Sequence, residues 1–140
     1  MKTEFVLELA DPKATLDRVG GKGASLTRLA NAGLPVPDGF HITTAAYQAF
    51  VAANLLSDHI AAGLLAADVA NPATFEAASA LIRKAFEGAK IPPEAASEIV
   101  DAYATLPGKD PAVAVRSTAT AEDLPAVSYT HLTLPTTPYV

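Results

Sequence analysis

VGGKGASLTRLANAG, residues 19–33, is the stretch on which the reading of this chain turns. Gly20, Gly21 and Gly23 surround Lys22, and a helical pattern follows at once with Leu26, Leu29 and Ala30 on one face. Gly33 is a stop signal for that helix. Glycines let a backbone approach a ligand closely, and the free amides of a helix start favour an anion. Lys22 adds a full positive charge at the same place, so the segment suits a phosphate. It is neither of two common phosphate loops. A Walker A loop would need Gly at Leu16 and Ser or Thr at Gly23, and G-x-G-x-x-G does not fit either. The plain alternative is a glycine-rich helix entry with a solvated lysine.

Working outward, residues 4–8 (EFVLE) read as a short alternating strand, and FHIT at 40–43 as another. Thr43 or Thr44 can cap a helix that places Tyr47, Phe50 and Val51 on one side. Ser57 is expected to cap the next, with Ile60, Leu64 and Leu65 inward. Asn71-Pro72 is a strong helix start, followed by Phe75, Ala78, Ile82 and Phe86 at core spacing and a stop at Gly88. A further helix carries Ile99, Tyr103 and Leu106 inward and stops at Pro107-Gly108. AVAVRS, residues 112–117, then reads as an alternating strand. The order is strand, helix, strand, several helices, strand. It predicts an α/β or α+β layer arrangement, helix-rich.

Composition narrows the function classes. The chain has 140 residues, half of them hydrophobic and 18% charged, which is a globular composition. A net charge of −5 with no polybasic run argues against nucleic acid or anionic membrane as partner. Cysteine is absent, which removes disulfides, thiolate zinc sites and thiol nucleophiles. The start MKTEFVLEL is broken by Glu4 and Glu8 and does not read as a signal peptide, so a cytoplasmic location is the expectation.

The second stretch with chemical content is VAVRSTATAEDLP, residues 113–125. Arg116 falls at the end of the expected strand, followed by Ser117, Thr118 and Thr120. Ligands gather at the carboxyl ends of strands in α/β sheets, and the arginine fork matches phosphate oxygens. Glu122 and Asp123 could hold that arginine or lie near a metal-bound nucleotide. The alternative is an ion pair of Arg116 with one of them that serves only structure.

Together these two stretches, and the residues that follow the first as far as Phe50, resemble the N-terminal ATP-binding domain of the phosphoenolpyruvate synthase and pyruvate phosphate dikinase family, which rifampicin phosphotransferases share. The resemblance implies the N-terminal part of an ATP-grasp-like nucleotide-binding domain. It places the family's G-G-K-x-A lysine on Lys22 and its V-R-S-x-A arginine on Arg116, both toward ATP phosphates, with Gly20, Gly21, Gly23, Ser117, Thr118, Glu122 and Asp123 in support. It implies ATP and Mg²⁺ as cofactors, the magnesium ligands lying beyond residue 125. It implies a phosphorylated histidine on a separate domain, and pyruvate or rifampicin as acceptor through further domains. TAEDLP favours the synthase and rifampicin branches over the dikinase branch, while Gly23 departs from the Asn often found there in synthases. On this reading residues 1–126 are part of such a domain, truncated and without turnover on their own. The alternatives are a fragment of a rifampicin phosphotransferase, or a non-catalytic nucleotide-binding or interaction module.

The histidines add little chemistry. His41 and His59 have no second histidine or carboxylate at ligand spacing and read as structural or solvated. His131 lies in VSYTHLTLPTTPYV, residues 127–140. That run resembles the translation of a transposase adapter used in sequencing libraries, so it is expected to be an artefactual, disordered tail. An uninterrupted genomic copy encoding it would refute this.

Overall fold

The computed structural model describes residues 4–121. Within them the chain forms β1 (Val6–Glu8), α1 (Leu16–Asn31), β2 (Phe40–Ile42), α2 (Thr44–Ala53), α3 (Leu56–Ala66), α4 (Pro72–Gly88) and α5 (Pro93–Ala104). β1 and β2 make a two-stranded antiparallel sheet with Leu7 opposite His41. The helix-rich α/β expectation holds in this coarse form.

α1 covers one face of the sheet. Its buried positions are Val19, Gly20, Gly21, Gly23 and Thr27, and Val19 packs with Leu7 and Ala14. Gly23 and Thr27 share one helical face at i and i+4, and Val19, on the other side of the non-helical Gly20, packs against Gly23. This differs from the expected face, since Leu29 is exposed and Leu26 and Ala30 are only half-buried. The glycine at 23 lets the helix sit close to His41 of the sheet, and that closeness selects the seam. At the far end, Gly33 takes φ +72°, and the Gly33 and Leu34 amides donate to the Ala30 and Leu29 carbonyls at 3.0 and 3.1 Å. This is the Schellman closure that the glycine signalled.

Thr43 holds the N-cap position of α2, but its hydroxyl donates to the Glu4 carbonyl at 2.9 Å instead of capping the helix. The side chain thus joins the helix start to the strand. Phe50 and Tyr47 of α2 lie against Phe86 of α4, with ring centroids 5.8 and 6.4 Å apart. Asn54 ends α2 and latches the connector after α4: its amide nitrogen donates to the Phe50 and Lys90 carbonyls, and its oxygen accepts the Lys90 amide at 3.0 Å.

Ser57 does not cap α3. The cap position is Leu55, held at φ +53°, and Ser57 lies inside the helix. The left-handed backbone makes the tight turn between α2 and α3 and drives Leu56 into the core, where it is almost fully buried. Asn71 caps α4 as expected, accepting the Ala73 amide at 3.3 Å. α3 and α4 pack along a seam of Gly63, Ala78 and Ile82. Leu64, Leu65 and Phe75 are exposed rather than inward, because no other described element covers those faces. No single helix among the described residues is long and apolar enough to cross a membrane.

The expected strand at 112–117 does not form. This stretch carries no ladder among the described residues, and Val113 and Val115 are 53% and 89% exposed. Alternation alone makes a strand only where a neighbouring backbone offers its hydrogen bonds. The start of the stretch is instead tethered by the Tyr103 hydroxyl, which donates to the Pro111 carbonyl at 2.7 Å.

α5 is attached to the sheet through Glu98. One carboxylate oxygen accepts the Phe5 and Val6 amides at 2.9 and 3.3 Å. Hydrogen bonds to a charged group are the stronger kind. Glu98→Ala is expected to lower stability by about 1–3 kcal/mol, and Glu98→Gln, which keeps a carbonyl oxygen, by less. Urea unfolding of the three chains checks this. An unchanged midpoint in the alanine variant would contradict it.

Candidate functional site

The glycine-lysine segment and the arginine segment meet in space. α1 is broken at Gly20, whose φ of +71° and ψ of 177° lie outside the helical region. A left-handed φ is open to glycine at little cost and to other residues only under strain. The break turns the next two amides away from the first helical turn. Gly21 N–H donates to the Ala119 carbonyl at 3.0 Å, and Lys22 N–H donates to Thr118 Oγ1 at 3.2 Å. A side chain on Gly20 would collide with Thr118 Oγ1 and come within 3.0 Å of the Ala119 carbonyl oxygen. Gly20 is therefore the socket into which the 118–119 backbone fits.

This revises how the segment works. The Gly21 and Lys22 amides are taken by protein acceptors rather than left open for an anion. What the glycines bring close is another stretch of this chain. The cations remain outward: Lys22 and Arg116 are exposed, as are Ser117 and Thr118. Arg116 lies two residues before this clasp and not at a strand end. Thr118 is two residues further on, so their Cα atoms lie within about 7 Å. Glu122 and Asp123 lie outside the described residues, as does His131.

Beneath the glycines lies His41, which the sequence reading treated as structural or solvated. It is buried on β2, facing α1. The Thr27 hydroxyl donates to the Gly23 carbonyl at 3.2 Å, so its oxygen must accept from His41 Nε2–H at 3.0 Å. The same Nε2–H faces the Leu9 carbonyl at 3.2 Å. The bonding thus assigns the proton to Nε2. Nδ1 points at Gly23, where a Cβ would come within 3.4 Å of it and within 2.9 Å of Val19 Cβ. The glycine at this position fits the packing of Val19 and His41 beneath it. Burial pushes the imidazole below its ordinary value, with the Leu9 bond acting the other way.

At the entry to α1, Glu4 accepts Lys13 Nζ at 2.6 Å and Arg18 at 3.3 Å. Those bonds hold its carboxyl below the usual carboxylate range, and the Thr15 hydroxyl does the same for Asp17. Among the described residues, no group of histidine, aspartate and glutamate is placed to hold a metal ion. His59 is exposed on α3.

Comparison with known proteins bears on this geometry. Residues 16–130 match the family described as pyruvate phosphate dikinase, AMP/ATP-binding domain. The chain is 44% identical over 142 residues to phosphoenolpyruvate synthase of Aeropyrum pernix, covering 92% of this chain and 16% of that enzyme. It is 42% identical over 138 residues to phosphoenolpyruvate synthase of Neisseria meningitidis serogroup B, covering 92% and 17%. To the probable phosphoenolpyruvate synthase of Methanocaldococcus jannaschii it is 45% identical over 118 residues, covering 81% and 10%. The chain thus spans no more than 17% of the length of these relatives. No solved structure matches.

The buried imidazole gives the site a pH signature. Well above pH 6.5, His41 is neutral in both folded and unfolded chains. As pH falls below that value the unfolded chain binds a proton and the folded chain does not, so stability falls until the lowered folded value is reached. Glu4 and Asp17 act in a more acidic window. The urea midpoint is therefore expected to drop between about pH 7.5 and 5.5. His41→Gln should flatten that drop. Equal slopes in the two chains would refute the assignment.

Proposed function

The chain belongs to the pyruvate phosphate dikinase AMP/ATP-binding domain family, and on that footing we propose that it is the nucleotide-binding part of a phosphoenolpyruvate synthase-type phosphotransferase. The ligand is ATP. Lys22 and Arg116 contact its phosphates, with Gly20, Gly21, Gly23, Ser117 and Thr118 shaping the site between them. The overall reaction converts pyruvate, ATP and water to phosphoenolpyruvate, AMP and phosphate by way of a phosphorylated histidine on another domain. The relatives' names favour pyruvate over rifampicin as the acceptor.

The observation that carries this reading is the pairing of Gly21 with Ala119 and of Lys22 with Thr118. Two cation-bearing segments nearly a hundred residues apart in sequence are drawn to one exposed place. Phosphoryl transfer is catalysed chiefly by positioning and by neutralising charge on the phosphate oxygens. An ammonium and a guanidinium reaching the same phosphates would supply part of both. Magnesium would neutralise further charge, and its ligands are proposed to lie beyond residue 125. The histidine acceptor and the pyruvate site belong to further domains, so these residues alone are proposed to bind nucleotide without turnover.

Lys22→Ala and Arg116→Ala are each expected to weaken ATP binding by about tenfold or more, the loss of one charge-assisted contact. Isothermal titration with ATP and magnesium measures this. Affinities equal to wild type in both variants would sink the site assignment.

A further inference from the structure

Two consecutive amides, at Gly21 and Lys22, are bound by two consecutive residues, at Ala119 and Thr118, and the two bonds differ in kind. Gly21 donates to a backbone carbonyl, which any residue at position 119 would offer. Lys22 donates to a side-chain hydroxyl, which only Thr or Ser at position 118 would offer. One side of this clasp is therefore generic and the other depends on residue type. Gly20 completes it, because a side chain there would occupy the place of Thr118 Oγ1.

We infer that Thr118 is the positioning residue of this site. It caps from a distance the helical segment that begins after Gly20, and so fixes where Lys22 stands relative to Arg116. Capping normally comes from the residue just before a helix, which ties the helix only to its own approach. Here the cap comes from a residue 96 positions away. That geometry does for two loops what an ordinary cap does for one end. Thr118 is exposed, and an exposed neutral hydrogen bond stabilises little. What the bond sets is register. A shift of the 116–119 stretch by one residue would remove both the hydroxyl and the carbonyl from the amides they serve. The β-branched side chain suits the task, because its χ1 is restricted before the bond forms.

The functional consequence rests on the ATP reading above, and the inference differs from it in one respect. Thr118 acts through Lys22 rather than on the phosphate. The two can be told apart with the full 140-residue chain. Amide hydrogen exchange by NMR reads the clasp directly. The Lys22 amide should be protected in the wild type and in Thr118→Ser, and should exchange about three- to tenfold faster in Thr118→Val. A double-mutant cycle with ATP reads the consequence. Thr118→Val should weaken ATP binding by about three- to tenfold in the wild-type background and by less than about twofold in Lys22→Ala.

Additive losses in that cycle would mean that Thr118 touches the ligand itself, and would overturn the inference. So would a Lys22 amide that exchanges equally fast in wild type and Thr118→Val. Should Thr118→Val fail to fold, protection of the Lys22 amide in the wild type decides the matter, an unprotected amide overturning the clasp. If the wild-type chain takes up no ATP, the functional reading falls separately, and the exchange comparison still upholds or overturns the role of Thr118.

Discussion

The break in α1 at Gly20 is the constraint on which the rest of the site depends. A continuous helix would bury the Gly21 and Lys22 amides in its own ladder and leave them nothing to offer a distant loop. A left-handed residue at position 20 releases both. It also removes the side chain that would fill the space where the loop docks. One residue thus performs two tasks that only glycine can combine. The seam of Val19, Gly23 and Thr27 then presses the same helix onto the sheet, so the break is held against a fixed surface.

That surface is built with small parts. One core cluster holds Phe5, Ala46 and Ala95, and a second holds Leu7, Ala14 and Val19. Alanine and glycine bury little apolar area each, so close approach must stand in for bulk. Polar bonds fill the remaining gaps: Thr43 to Glu4, Thr27 to His41, and Asn54 to Lys90. Each joins elements that are separate in sequence. The sheet and the helix that carries Lys22 are therefore fixed by hydrogen bonds as much as by packing.

How much of this was legible in the sequence depends on the range over which each feature is decided. Gly33, Asn71-Pro72 and the end of α4 at Gly88 were readable because caps are settled within a turn of helix. The turn at Leu55 was not, since nothing in a leucine announces a left-handed backbone, and Ser57 offered a more ordinary cap nearby. The buried stripe of α1 was misread because the two leucines suggested a face, whereas small residues decide how near a helix can come. Residues 112–117 alternate like a strand, yet alternation carries no information about a partner. Lys22 and Arg116 were singled out by residue type and by family resemblance. Their meeting through Gly20 and Thr118 lies outside any local pattern, because a contact across 96 positions leaves no periodic trace. His41 reads from sequence as structural or solvated, while its burial, its pairing with Thr27 and its nearness to Gly23 emerge only with the fold.

Glu98 has a further meaning for the sheet. One carboxylate oxygen takes the consecutive Phe5 and Val6 amides. Consecutive amides of a regular strand point to opposite sides, so two that converge on one acceptor mark a chain not yet in strand geometry. The strand proper begins at Val6, directly after that convergence. The residue that fastens α5 to the sheet therefore also marks where β1 starts.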